Sequence, residues 1–84
     1  MEHNEETDFL RAFGQNLKRL REEKQLTQAN VAFEAGLSVS QVQRIEYGHH
    51  NFTILTLLAL SQALEVSPDQ LLNLRPGQAV VKKL

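Results

Sequence analysis

The residues best equipped for chemistry lie in one short stretch, GLSVSQVQRIEYG, residues 36–48. On a helical wheel at about 100° per residue, Val39, Ser40, Gln43, Arg44 and Tyr47 share one arc of about 140°, while Val42 and Ile45 point the other way, joined by Leu37 from the preceding turn. The outward arc thus offers a methyl-bearing side chain, a hydroxyl, an amide, a guanidinium and a phenol. That mixture is neither a plain charged solvent surface nor a core surface. Such groups make hydrogen bonds and methyl contacts with the edges of base pairs, and an arginine fork fits the O6 and N7 of guanine. The plain alternative is a solvated polar face.

Other chemistries have less to stand on. There is no cysteine, hence no disulfide and no thiolate metal ligand. A glycine-rich phosphate loop, an HExxH-type motif and a Ser-His-Asp set that an all-helical chain would bring together are all absent. The chain is therefore expected not to be an enzyme. His49 and His50 suggest a metal, but adjacent residues rarely converge on one ion and no second cluster supports them, so neither metal nor cofactor is expected.

The elements that must hold the outward arc are helical. No strand-like alternation of useful length and no solenoid-period repeat occurs. A first helix is expected from about Asp8 to Lys24, with Phe9, Phe13, Leu17 and Leu20 on one stripe. Thr27 caps a second from Gln28 to Ala35, with Val31 and Ala32 inward and Phe33 packing against the first helix. Gly36 ends it. Ser38 opens the third and forms a capping box with Gln41, and Gly48 closes it. Thr53 caps a fourth helix to Leu64, and Ser67-Pro68-Asp69-Gln70 starts a fifth with proline at its first position. Only about three residues separate helices two and three. They must cross steeply, in the helix-turn-helix manner that presents the second of the pair outward to the DNA major groove.

Eighty-four residues make one domain, and 42% hydrophobic with 23% charged residues is an ordinary globular composition. The organisation expected is an acidic leader at 1–8, a helical domain at 9–75 and a tail at 76–84 beginning with the break Pro76-Gly77. For that tail, disorder, a dimer strand and a linker stub are equally open. The longest apolar run, Leu57 to Leu60, is too short to span a bilayer. The opening MEHNEETD does not resemble a signal peptide, and a cytoplasmic location is expected. Net charge is −1, but residues 1–8 hold four acids and no Lys or Arg. The remainder carries nine basic residues against six acids, a net of +3 that permits DNA binding without proving it.

The run LKRLREEKQLTQANVAFEAGLSVSQVQRIEYG resembles the helix-turn-helix domain of the phage repressor and Cro family, and NFTILTLLALSQALEVSPDQLL is similar to that family's fourth and fifth helices. Within the family, the chain looks most like small stand-alone bacterial regulators, restriction–modification controller proteins included. The resemblance implies an all-α, compact five-helix bundle that binds double-stranded DNA, usually a partly palindromic operator, as a homodimer. By matched position, it implies base reading by Val39, Ser40, Gln41 and Arg44. Gln28 would grip a phosphate and brace the recognition helix. Gln43 and Tyr47 would lie at the edge of the reading surface, and His49, His50 and Asn51 along the sugar-phosphate backbone. Arg21 and Glu46 match a pair that forms a salt bridge in some members. Gln25 stands where the family usually has glycine, and a left-handed conformation there would cost roughly 1 kcal/mol.

Helix four is apolar nearly all round. Ile54, Leu57, Leu60 and Leu64 form its expected core stripe, while Leu55, Leu58 and the nearby Ala59 add a second surface that a partner subunit would cover. The alternative is that Val80 and Val81, or Phe9 and Leu10, fold over it. The sequence therefore reads as a transcriptional regulator, repressing or activating by occupancy, with no small-molecule ligand expected. An antitoxin or another protein-interaction module of the same fold is the alternative function.

Overall fold

Asn4 turns the chain into the first helix, its side-chain oxygen accepting the Thr7 N–H at 2.8 Å. The computed structural model describes residues 4–74. They form five helices and no strand: α1 (Glu5–Glu23), α2 (Gln28–Ala35), α3 (Val39–Glu46), α4 (Ile54–Leu64) and α5 (Pro68–Leu72). α1 begins three residues before the expected Asp8, so half of the supposed leader is helix. Glu5, Glu6 and Asp8 sit in its first turn, where carboxylates favour the positive end of the helix dipole. The break at Pro76-Gly77 and the tail after it lie outside the described residues.

The first four helices end alike. Gln25, Gly36, Gly48 and Glu65 each take a left-handed φ of 57–79°. After each, an N–H reaches back five residues: Leu26 to Arg21, Leu37 to Ala32, His49 to Arg44 and Val66 to Ser61, all at 2.9–3.0 Å. This is the Schellman closure, which satisfies carbonyls the helix leaves over. Gln25, where the cost of a left-handed conformation was in question, does take it. Glu65 does so too, although no turn residue marks that site in the sequence.

Every helix sends at least one fully buried side chain to a common core: Leu17 from α1, Val31 from α2, Val42 from α3, Leu60 from α4 and Leu71 from α5. Each such side chain contributes about 1.5–3 kcal/mol on leaving water. Asn16 is buried with them, its amide donating to the carbonyls of Gln70 at 3.0 Å and Leu71 at 2.8 Å. One polar side chain thereby ties the last helix to the first.

Two expectations about packing fail. Ile54, placed on the core stripe of the fourth helix, is 75% exposed. It is the first residue of α4, and Phe52 packs against the core there instead, its ring centroid 4.9 Å from that of Phe13. Phe33, expected against the first helix, is 84% exposed. α2 turns Val31 and Ala32 into a core shared with α3 and α4, which leaves Phe33 on its outer side.

Candidate nucleic-acid interface

Local hydrogen bonds set the α2–turn–α3 unit. Thr27 and Asn30 cap α2 reciprocally, at 3.0 Å from the Asn30 N–H to the Thr27 hydroxyl and 2.9 Å from the Thr27 N–H to the Asn30 side chain. Ser38 and Gln41 do the same for α3, at 3.1 and 2.8 Å. With Gly36 left-handed at φ 71°, the chain leaves α2 and enters α3 within three residues.

A buried ionic cluster then fixes α3 against α1 and α2. Arg21 Nε donates to Glu46 Oε2 at 2.6 Å and Nη2 to Oε1 at 3.1 Å, with side chains only 9% and 4% exposed. Arg21 Nη1 holds the Leu26 carbonyl at 2.8 Å, and the Gln28 amide donates to Glu46 Oε1 at 2.9 Å. The hydrogen-bonded Glu46 carboxylate raises the Arg21 pKa above its usual value, against the lowering effect of burial. Gln28 therefore braces α3 through Glu46. A charge pair removed from water in this way is tolerable because its hydrogen-bonding capacity is used.

Glycine at two points lets the backbones meet. A Cβ on Gly14 would run into the carbonyl oxygens of Ile45 and Glu46, so α1 touches the last turn of α3. At Gly48 a Cβ would lie 2.8 Å from Arg11 Cα, so the turn after α3 rests on α1 as well. Sequence reasoning misses Gly14 and Arg11. A glycine inside an otherwise strong helix pattern is the available signal for the first.

On this frame Val39, Ser40, Gln41, Gln43, Arg44 and Tyr47 are all exposed, Val39 at 41% and Tyr47 at 70%. Gln41 differs from the others because its side-chain oxygen is committed to the Ser38 N–H; its amide N–H groups carry whatever outward reach it has. After α3, Tyr47 and His49 stand with ring centroids 6.0 Å apart, His50 is half-buried and Asn51 is exposed. On α4, Leu55 is 71% and Leu58 43% exposed, whereas Ala59 is half-buried. Exposed Leu72 of α5 and Ile54 extend the apolar surface.

A capped helix pair with its second member braced from behind and polar in front defines a helix-turn-helix protein. Residues 17–71 match the helix-turn-helix family model HTH_3. The chain is 42% identical over 66 residues to the uncharacterized HTH-type transcriptional regulator y4dJ of Sinorhizobium fredii, covering 79% of this chain and 86% of that protein. Among solved structures, it is similar to the restriction-modification controller protein C.AhdI from Aeromonas hydrophila, at 40% identity and TM-score 0.73, covering 74% of this chain and 94% of that one. It is also similar to the controller protein C.Esp1396I, solved as a tetramer with its natural 35 base-pair operator, at 29% identity and TM-score 0.71, covering 77% and 86%. The chain belongs to the HTH_3 helix-turn-helix family of DNA-binding transcriptional regulators. Among the described residues, no helix is long and apolar enough to cross a membrane.

Proposed function

We propose that the protein is a sequence-specific bacterial transcriptional regulator that acts in the cytoplasm, binding a partly palindromic operator as a homodimer. The carrying observation is the outward face of α3, held rigid by the buried Arg21–Glu46–Gln28 cluster. In the bound complex two α3 helices, roughly 34 Å apart, enter successive major grooves. Val39, Ser40, Gln41 and Arg44 read base edges, while Gln28, Gln43, Tyr47, His49, His50 and Asn51 lie along the backbone. Leu55, Leu58 and Ala59 form the dimer contact. Occupancy alone then blocks or recruits polymerase. Because C.Esp1396I binds its operator as a tetramer, a pair of dimers on adjoining half-sites is the larger assembly to look for.

Selection from a random duplex library tests the reading. A two-fold related consensus, bound with steep salt dependence, is the expected result. Recovery of no consensus, with equal and salt-insensitive retention of all sequences, would overturn it and leave a protein-interaction role for the same fold.

A further inference from the structure

By turning Val31 and Ala32 into the core, α2 leaves Phe33 on its outer side, the most exposed large apolar residue of the described chain at 84%. Beside it lies an open hollow of about 340 Å³, lined by half-buried Leu26 and Ala63 together with Asn30, Glu34 and Phe33 itself. The adjoining surface shares Leu26, Glu34 and Ala63 and adds Lys24 and Glu65. One cation and two carboxylates thus stand round an apolar patch, and among the described residues none of the three has an ion-pair partner. The patch includes no residue of the outward arc of α3, and neither Leu55 nor Leu58 of α4. Neither of the contacts proposed above uses it.

We propose that this patch is where one dimer meets a second copy of the dimer on neighbouring DNA sites, each Phe33 entering the hollow of the opposing chain. The inference rests on the DNA-binding homodimer read above and names the surface that joins the larger assembly. Self-complementarity favours a second copy over a foreign partner. In a two-fold pairing residue i of one chain meets residue j of the other, and j meets i, so the same patch must carry both a knob and a hole. Phe33 is the knob and the Leu26–Ala63 hollow is the hole. A cavity of about 150 Å³ already holds a benzene ring, so the hollow has room for it. The charges match in the same way, Lys24 of each chain meeting Glu34 of the other, which fixes orientation more than it adds affinity. One ring per chain is too little apolar surface for a stable complex in free solution. The contact therefore acts where DNA holds two dimers side by side and raises their effective concentration.

The test is gel-shift titration of duplexes carrying one or two copies of the selected operator, the two-site series stepped by single base pairs over one helical turn, about 10.5 bp. At the favourable spacing wild type should fill the two-site duplex cooperatively, the second site binding about tenfold tighter than the first or better. Half a turn away the effect should vanish. Phe33→Ser removes a solvated ring, so it should melt as wild type does and bind one site with wild-type affinity. On two sites it should bind independently, and the singly occupied duplex should accumulate. Lys24→Glu should weaken the cooperativity, and adding Glu34→Lys in the same chain should restore it. Equal cooperativity in Phe33→Ser and wild type overturns the proposal, as does wild type that fills two sites independently at every spacing. Failure of wild type to bind even the one-site duplex would instead sink the DNA-binding reading on which the proposal rests.

Discussion

Arg44 and Glu46 are two residues apart on α3 and face opposite ways, one into solvent and the other 8% exposed behind the helix. They support opposite experiments. Arg44→Ala leaves the fold untouched; if its fork holds a guanine, the variant loses about 1–3 kcal/mol on the operator and the preference at one position per half-site. Equal weakening on operator and random DNA, measured by competition, would instead make Arg44 a phosphate contact. Glu46→Ala strips the partner from the buried Arg21 and the bond from Gln28. Denaturant melts should show a loss of about 3–5 kcal/mol, because a buried charge left alone costs far more than the pair contributes. The outward arc is legible in the sequence because wheel geometry alone separates it from Val42 and Ile45. The commitment of Gln41 to its own cap is half legible, since the capping box and the base-reading role claim the same side chain. The contact of Arg11 with the turn after α3 is not legible, because it becomes a neighbour of Gly48 only once α1 has docked on α3.

That docking is an element-scale matter and turns on Gly14. In an exposed helix Gly→Ala is stabilising by about 0.5–1 kcal/mol. Here the added methyl meets backbone carbonyls of α3, which cannot swing aside. Gly14→Ala should therefore lower stability by about 1–3 kcal/mol, the usual toll of overpacking, and shift the α3 amide resonances with it. A stabilised variant with unchanged α3 resonances would disprove the close approach. Helix identity is plain from the sequence because it is written locally: Thr27, Ser38 and Thr53 cap where hydroxyls precede apolar periodicity, and Gly36 and Gly48 close. Packing between helices is not local, and there the sequence misleads. Ile54 fits the wheel of α4, yet as its first residue it overshoots the core that Phe52 already closes. Phe33 is large enough to suggest a place against α1, but α2 presents Val31 and Ala32 inward and leaves it in solvent. The early start of α1 is hidden because acidic residues read equally well as a leader and as a favourable first helical turn.

At the scale of the whole molecule, α4 is apolar on more than one side. Leu57, Leu60 and Leu64 close the core on one side, while Leu55 at 71% and Leu58 at 43% exposure face water on another, with Ile54 and Leu72 adding to the apolar surface. A second copy covering this face would hide the leucines, and a two-fold pairing would also set the distance between two α3 helices. Affinity and dimerisation would then be linked: a monomer would reach one half-site, and a dimer two. Leu55→Glu adds a charge where the monomer is already solvated, so the domain should keep its melting temperature to within a few degrees. At the contact, however, the carboxylate would be buried without a partner, at a cost of several kcal/mol per interface. Sedimentation should show a folded monomer, and operator binding should weaken by at least tenfold with a salt slope near half that of wild type, as one subunit's phosphates drop out of the complex. Were the variant to sediment as a dimer with wild-type affinity, the subunits would have to meet elsewhere, and the exposed leucines of α4 would need another partner.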